Sequence, residues 1–166
     1  MSEENLYSQK AIEKIKDIAT DVDFCMLATN LTVQPISAVP MSTKKVDSQG
    51  NIWFLSNKNS DHNAAIIKDE NTQLLYSGGS DMKFLSVYGY AEIIHDRAII
   101  KELYSSTDNA WFEGEEDPNI TAIKFYPKEA AYWSNDDNKV VSLFKMAKAA
   151  ITGDKVDMGI SGQIKV

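Results

Sequence analysis

Strand-like segments follow one another along this chain with connections mostly too short to hold a crossover helix, and that spacing dictates antiparallel pairing. The longest, Lys83 to Ile94, puts Leu85, Val87, Gly89, Ala91 and Ile93 on one face, with Gly89 marking a bulge or a close backbone approach. Val22 to Thr29 alternates Val22, Phe24, Met26 and Ala28 against Asp23, Cys25, Leu27 and Thr29. The segment PISAVPMST reads as an edge or bulged strand, because Pro35 and Pro40 cannot donate to a ladder. Asp47 to Asn51 forms a turn into Ile52 to Ser56, which pairs these two segments antiparallel. Thr72 to Ser77, Thr121 to Tyr126 and Ala130 to Ser134 complete the set, and Gly78-Gly79 reads as a hairpin turn. Six or so strands joined in this way predict a mainly β (α+β) antiparallel barrel, since closure removes unpaired edges.

Helical periodicity is confined to four stretches. Ile12, Ile15, Ile18 and Ala19 mark a surface helix over roughly residues 3 to 20. Ser60 caps a short helix over about 61 to 69, and Asp96 caps another that runs to about Tyr104. Val140, Leu143, Phe144, Ala147 and Ala150 mark a last amphipathic helix over about 139 to 150, followed by a glycine-containing tail that is loosely held or lies across a partner subunit. With 43% apolar residues and no shift in composition, the expectation is a single domain over 1 to 166, including an N-terminal helical segment (3–20) and a C-terminal helix and tail (139–166).

Charge narrows the partners. Acidic residues outnumber basic ones by 24 to 17, giving a formal charge of -7 that repels nucleic acid and anionic membrane surfaces. No apolar run approaches the roughly 20 residues of a bilayer span, and the polar start MSEENLYSQK is unlike a signal peptide, so a cytoplasmic location is expected. Cys25 lies within an apolar run and reads as a small buried hydrophobe, while His62 and His95 are far apart, so no metal site is signalled. Arg97 is the sole arginine, so an anion must be met by lysine, backbone amides and helix ends.

One stretch offers those groups. In FLSNKNSDHNAAIIKDENTQLLY, residues 54 to 76, a strand ends and Ser60 opens a helix whose first amides point back toward the strand end. Lys58 and His62 can add charge or hydrogen bonds there. A serine cap with no ligand accounts for the same residues.

In its wider setting this stretch resembles the pyridoxamine 5'-phosphate oxidase-like FMN-binding split barrels, particularly the general stress protein 26 branch. The resemblance runs from Phe24 to Trp133. It takes in Pro40-Met41, the strand Trp53 to Ser56, the serine-led loop Ser60 to Asn63 and Val87 to Ala91. Trp111-Phe112 with Asp117-Pro118, and finally Tyr132-Trp133, close the series.

The resemblance implies a six-stranded antiparallel Greek-key split barrel with flanking helices, working as a homodimer with FMN in a groove between subunits. Backbone around Val39, Pro40, Met41, Leu55 and Ser56 would contact the flavin ring. Ser60, His62 and Asn63, helped by Lys58, would hold the phosphate, and Trp111 would approach the flavin. Core packing is the competing reading for Met41, Leu55 and Trp111. At most one of Trp53 and Phe54 can face a ligand, because they alternate in direction. Tyr132 and Trp133 read as core or dimer contacts, and His95 as a surface residue at a strand end.

Two departures from the family pattern matter. Val39 stands where many members have arginine before Pro-Met, and Asp61-His62 stand where an Arg-Lys pair is common; Asp61 is expected to point away from the phosphate, or else affinity is modest or another lysine, such as Lys44 or Lys45, compensates. The chain has no arginine after Arg97 to grip a substrate phosphate, so pyridoxamine phosphate oxidase activity itself is not expected. The expectation is an FMN-dependent oxidoreductase acting on a small-molecule substrate that the sequence does not identify. The alternatives are a flavin-binding or flavin-storing protein without turnover, and the same barrel carrying haem or a deazaflavin. No residue stands out as a catalytic acid, base or nucleophile.

Overall fold

The structure, a computed structural model, describes residues 2–3, 6–79, 82–134 and 160–165. Its strands are β1 (Ser2–Glu3), β2 (Leu6–Tyr7), β3 (Phe24–Thr29), β4 (Ser37–Ser42), β5 (Lys45–Val46), β6 (Ile52–Asn57), β7 (Asn71–Gly78), β8 (Lys83–Ile94), β9 (Ile120–Ser134) and β10 (Ile160–Lys165). Helices α1 (Ser8–Val22), α2 (Asp61–Lys68) and α3 (Arg97–Leu103) accompany them, with a 3-10 turn over Ser106–Ala110.

A ring of antiparallel pairs runs β3–β7–β8–β9–β6–β5, and β5 continues β4, which pairs back onto β3. The change of partner falls between two neighbouring residues. Thr43 N–H donates to Asp23 O at 2.9 Å, and Lys44 N–H donates to Trp53 O at 2.8 Å on the opposite side. Above this point the antiparallel pairing expected between PISAVPMST and Ile52 to Ser56 does not form: no ladder joins β4 to β6 among the described residues, although the two strands lie side by side, and only Lys45–Val46 pair with β6. The barrel is therefore closed at one end and split at the other, which is the expected six-stranded split barrel.

Alternation fills the interior. Ile52, Phe54, Leu74, Leu85, Val87, Ile123 and Phe125 belong to one buried cluster. Helix α1 closes the mouth nearest Lys83 by adding Ala11, Ile15, Ile18 and Ala19 to it, at the i, i+4, i+7, i+8 spacing of one helical face. It stops at Asp23, whose φ of 65° is a left-handed conformation that a short polar residue tolerates. Helix α2 crosses the opposite mouth and buries Asn63, Ala65 and Ile66. Helix α3 lies outside, where Ile100 and Leu103 pack with Leu55, Ile120 and Ala122.

Two expectations need correction. The first helix does not begin at residue 3: residues 2–3 and 6–7 pair in parallel with β10, and α1 starts at Ser8. Backbone pairing with a strand some 150 residues away overrides the helical periodicity there, and it also anchors 160–165, the end of the tail, onto β9. Nor are 121–126 and 130–134 separate strands. Pro127 lies in the interval where the outer neighbour of β9 changes from β6, ending at Phe125, to β10, starting at Glu129, so its missing N–H interrupts no ladder there. The helix expected over 139–150 lies outside the described residues.

Gly89 sits at a register shift where Tyr88 pairs with Glu129 and Gly89 with Pro127. A Cβ at Gly89 would fall 2.1 Å from Tyr126 O and 2.8 Å from Phe125 Cζ, so backbone would have to move. Gly89→Ala is expected to lower stability by about 3 kcal/mol, the upper range for overpacking, as read by chemical denaturation.

Candidate cofactor site

The open end of the split brings together most of the residues singled out above. Val39, Pro40 and Met41 lie on the β4 lip, Leu55 and Ser56 on the β6 lip, and Lys58 to Asn63 on the turn that carries β6 into α2. Val39 and Met41 turn inward against the core, with Met41 9% exposed, while Pro40 faces out. Leu55 packs under α3 and Phe54 fills the interior, so Trp53 is the outward member of that pair, half-buried with its indole N–H on Asp47 Oδ2. The side chains of Met41 and Leu55 are thus core residues, and what they offer the split is backbone.

The turn is tightly held. Ser60 N–H donates to Asn57 O and Asn59 N–H to Asn57 Oδ1, and Ser60 Oγ accepts from Asn63 N at 3.3 Å, capping α2. The N–H groups of Asp61 and His62 have no partner among the described residues, the usual state of a helix start. His62 is half-buried, and its Nε2 is shielded from solvent with no hydrogen-bond partner. Two unpaired amides at a helix start are donors that an acceptor can meet, and the unpartnered imidazole nitrogen belongs to the same turn.

Asn63 serves this loop from beneath. Its side chain is 1% exposed; Oδ1 accepts from Ser56 Oγ at 2.8 Å and Nδ2 donates to Thr121 Oγ1 at 2.8 Å. With the Ser56 proton used in this way, Thr121 donates to Ser56 Oγ at 2.8 Å and closes a buried triangle linking β6, α2 and β9. Thr121 was missed in the sequence; its signal was a hydroxyl at an inward position of the apolar run ITAIKF, directly opposite Ser56.

Cations are scarce around the split. Lys44 donates to Asp108 Oδ2 at 2.7 Å with both side chains only 12% exposed, and Lys45 pairs with Glu102, so neither compensates for the missing arginines. Asp108 also accepts from the Ser105 N–H and hydroxyl, and its carboxyl is held below the usual range against the cost of its burial. Arg97 donates to the carbonyls of Glu115 and Asp117, stapling the loop after α3. That loop runs from Lys44 to the turn, where Lys58 N–H donates to Asn119 O at 2.8 Å. Lys58 itself is exposed, with Nζ 3.4 Å from Pro118 O. Trp111 stands on this loop 80% exposed, apart from both core clusters, and His95 is exposed at the end of β8 as expected.

A split antiparallel barrel whose open end meets a serine-capped helix start defines the class of fold. Residues 10–157 match the family model described as pyridoxamine 5'-phosphate oxidase like, and the chain belongs to that family. Among curated proteins none matches the sequence. Solved structures do. A general stress protein 26 from Jannaschia sp. CCS1 is 24% identical, with a TM-score of 0.79 over 96% of this chain and 100% of that one. The general stress FMN/FAD binding protein of Xanthomonas citri is 23% identical, with a TM-score of 0.66 over 79% of this chain and 93% of that one. General stress protein 26 of Bacillus anthracis gives 21% and 0.64 over 73% of this chain and 92% of that one.

Burial holds the His62 imidazolium below its ordinary value of 6.5, with Asp61 opposing. The unfolded chain therefore takes up the proton first: stability is intact above about pH 6.5, begins to fall below it, and is lost as pH passes the lower folded-state value. Denaturation midpoints measured from about pH 7 down to about pH 5.5 are expected to fall, and His62→Gln should remove that part of the decline.

Proposed function

We propose that this protein is an FMN-dependent oxidoreductase, with the flavin held at the split. The observation that carries this reading is the two unpaired amides of Asp61 and His62, with the unpartnered His62 Nε2 on the same turn, at the open end of the barrel. They suit a phosphate, and a flavin mononucleotide carries one. Similar proteins from Xanthomonas citri and Nostoc punctiforme are known as FMN/FAD binding and FMN binding, which supports the choice.

In this reading Ser60, His62 and the two amides hold the phosphate, with Lys58 above it, and the Asn63 triangle keeps the loop in place. Asp61 is exposed and turns its charge to solvent. Val39 to Met41 are laddered to β3 and Leu55 to Ser56 to β9, but their edges toward the split carry no ladder among the described residues and offer hydrogen bonds to the ring edge, and Trp111 is free to cover it. FMN would supply electron transfer; the chain's own part is to bind, orient and partly desolvate it. Arg97 is committed to its loop, so a phosphorylated vitamin finds no guanidinium among the described residues, which favours a different substrate.

The working unit in this proposal is a homodimer. Met26, Leu75, Phe84 and Trp133 are each 36–42% exposed on the outer face of four neighbouring strands. Met26 pairs with Leu75, Phe84 with Trp133, and Met26 also with Pro40 on the lip of the split. An apolar face of this kind marks an interface, and a second copy seated on it would border the cofactor.

The purified protein should release one FMN per chain, identified by mass, or take it up when added; a colourless protein that takes up none overturns the proposal. Ser60→Asp keeps an N-cap acceptor but sets a carboxylate against the phosphate, so FMN affinity should fall about tenfold or more while riboflavin binding is unchanged. Under anaerobic conditions NADH or NADPH should bleach the bound flavin; failure of both removes the oxidoreductase part and leaves a flavin-binding protein. Leu75→Lys should turn the dimer into a monomer on a sizing column with light scattering and weaken FMN retention.

A further inference from the structure

A second concavity lies at the other end of α2, away from the split. It is an open groove of about 780 Å³, formed by the C-terminal half of α2, the start of β7, the upper end of β8 and Tyr126 of β9. That volume lies within the range of small-molecule sites. Its floor is apolar, with Ile66 and Ala91 both 3% exposed, and Ile67 stands on its rim at 72% exposure.

The polar lining is one-sided. Three carboxylates, Asp69, Glu70 and Glu92, face a single lysine, Lys68, with His95 at the edge. Asp69 is partly engaged, accepting at Oδ1 from the backbone and side-chain nitrogens of Asn71. Glu92 accepts the Tyr126 hydroxyl at Oε2, 2.8 Å, and its other oxygen has no partner among the described residues; neither has the Glu70 carboxylate. An ionised carboxylate only accepts, so the rim calls for a ligand that donates.

The aromatic walls add a second requirement. Tyr90 and Tyr126 line the groove, and their rings already draw ammonium groups: Lys128 Nζ lies 5.2 Å from the Tyr90 centroid and Lys124 Nζ 4.7 Å from that of Tyr126. These two lysines belong to β9 and offset part of the acidic charge. They do not line the groove, however, and a ligand within it meets the carboxylates first. An apolar floor, two tyrosines and a rim on which carboxylates outnumber cations together describe one ligand chemistry. We infer that this groove binds a flat aromatic amine, its ring against the tyrosines and its ammonium on Glu92 and Glu70. The inference stands on the groove's own residues and does not depend on flavin at the split.

Tryptamine and indole-3-acetate, which share a ring and differ in the sign of their charge, test it. They are titrated separately into the isotopically labelled full chain, and amide resonances are followed by NMR. Tryptamine should move the signals of Glu70, Asn71, Tyr90 and Glu92 saturably, while indole-3-acetate at equal concentration leaves them in place. Glu92→Gln keeps an acceptor for the Tyr126 hydroxyl yet removes the charge, and should weaken tryptamine about tenfold, the worth of one charged hydrogen bond. Equal responses to the two compounds, shifts scattered over the surface or centred on Ser60 to Asn63, or undiminished binding by the variant would overturn the inference.

Discussion

Two backbone hydrogen bonds on adjacent residues, Thr43 to Asp23 and Lys44 to Trp53, decide the shape of this protein. The peptide between them is where one strand leaves β3 and joins β6, so the ring of strands closes below and opens above. A strand that stayed with β3 throughout would leave β6 as a bare edge. One laddered to β6 along its whole length would seal the opening. Because the change occurs low on the barrel, several residues of each lip retain backbone donors and acceptors that no neighbouring strand satisfies. In the proposed function, those are the groups offered to the flavin ring.

The same crossing point is secured from outside. Lys44 follows the change of partner directly, and its ammonium is held by Asp108 and Ser105 on the loop after α3. This pair is largely shielded from solvent, and its additional hydrogen bonds offset the cost of desolvating both charges. At the other end the loop is tied to Lys58 by backbone and along its length by Arg97. The sole arginine and the lysine nearest the crossing thus serve architecture. In the proposed function, an anion at the open end is then met by helix amides, the Ser60 hydroxyl and a half-buried imidazole, with the exposed Lys58 as the added cation.

Much of this could be read from residue order. Alternation in β3 and β8, and between Trp53 and Phe54 of β6, predicted two-faced strands, and the bulge at Gly89 followed from a glycine in the middle of a long strand. Ser60 and Asp96 announced helix starts that the structure confirms. What misled was local punctuation. Pro127 looked like a strand end, yet the gap between two outer neighbours accommodates it. Helical periodicity near the N-terminus looked continuous, yet its first residues join a sheet edge. Asn63 read as a phosphate ligand, while its side chain is sealed in a triangle whose third member, Thr121, lies 58 residues further on.

Sequence alone determined the class: a mainly β barrel with short helices, a serine-capped helix start and a membership legible from Pro40-Met41 through Trp133. These are properties of near neighbours along the chain, set by side-chain alternation, turn residues and caps. Tertiary structure alone decided which groups were free. Whether a lysine meets a phosphate or an aspartate, and whether an asparagine faces ligand or core, depends on partners brought close only when the strands closed into a ring. No local pattern encodes that balance, because each polar group is claimed by whichever partner the completed fold sets beside it.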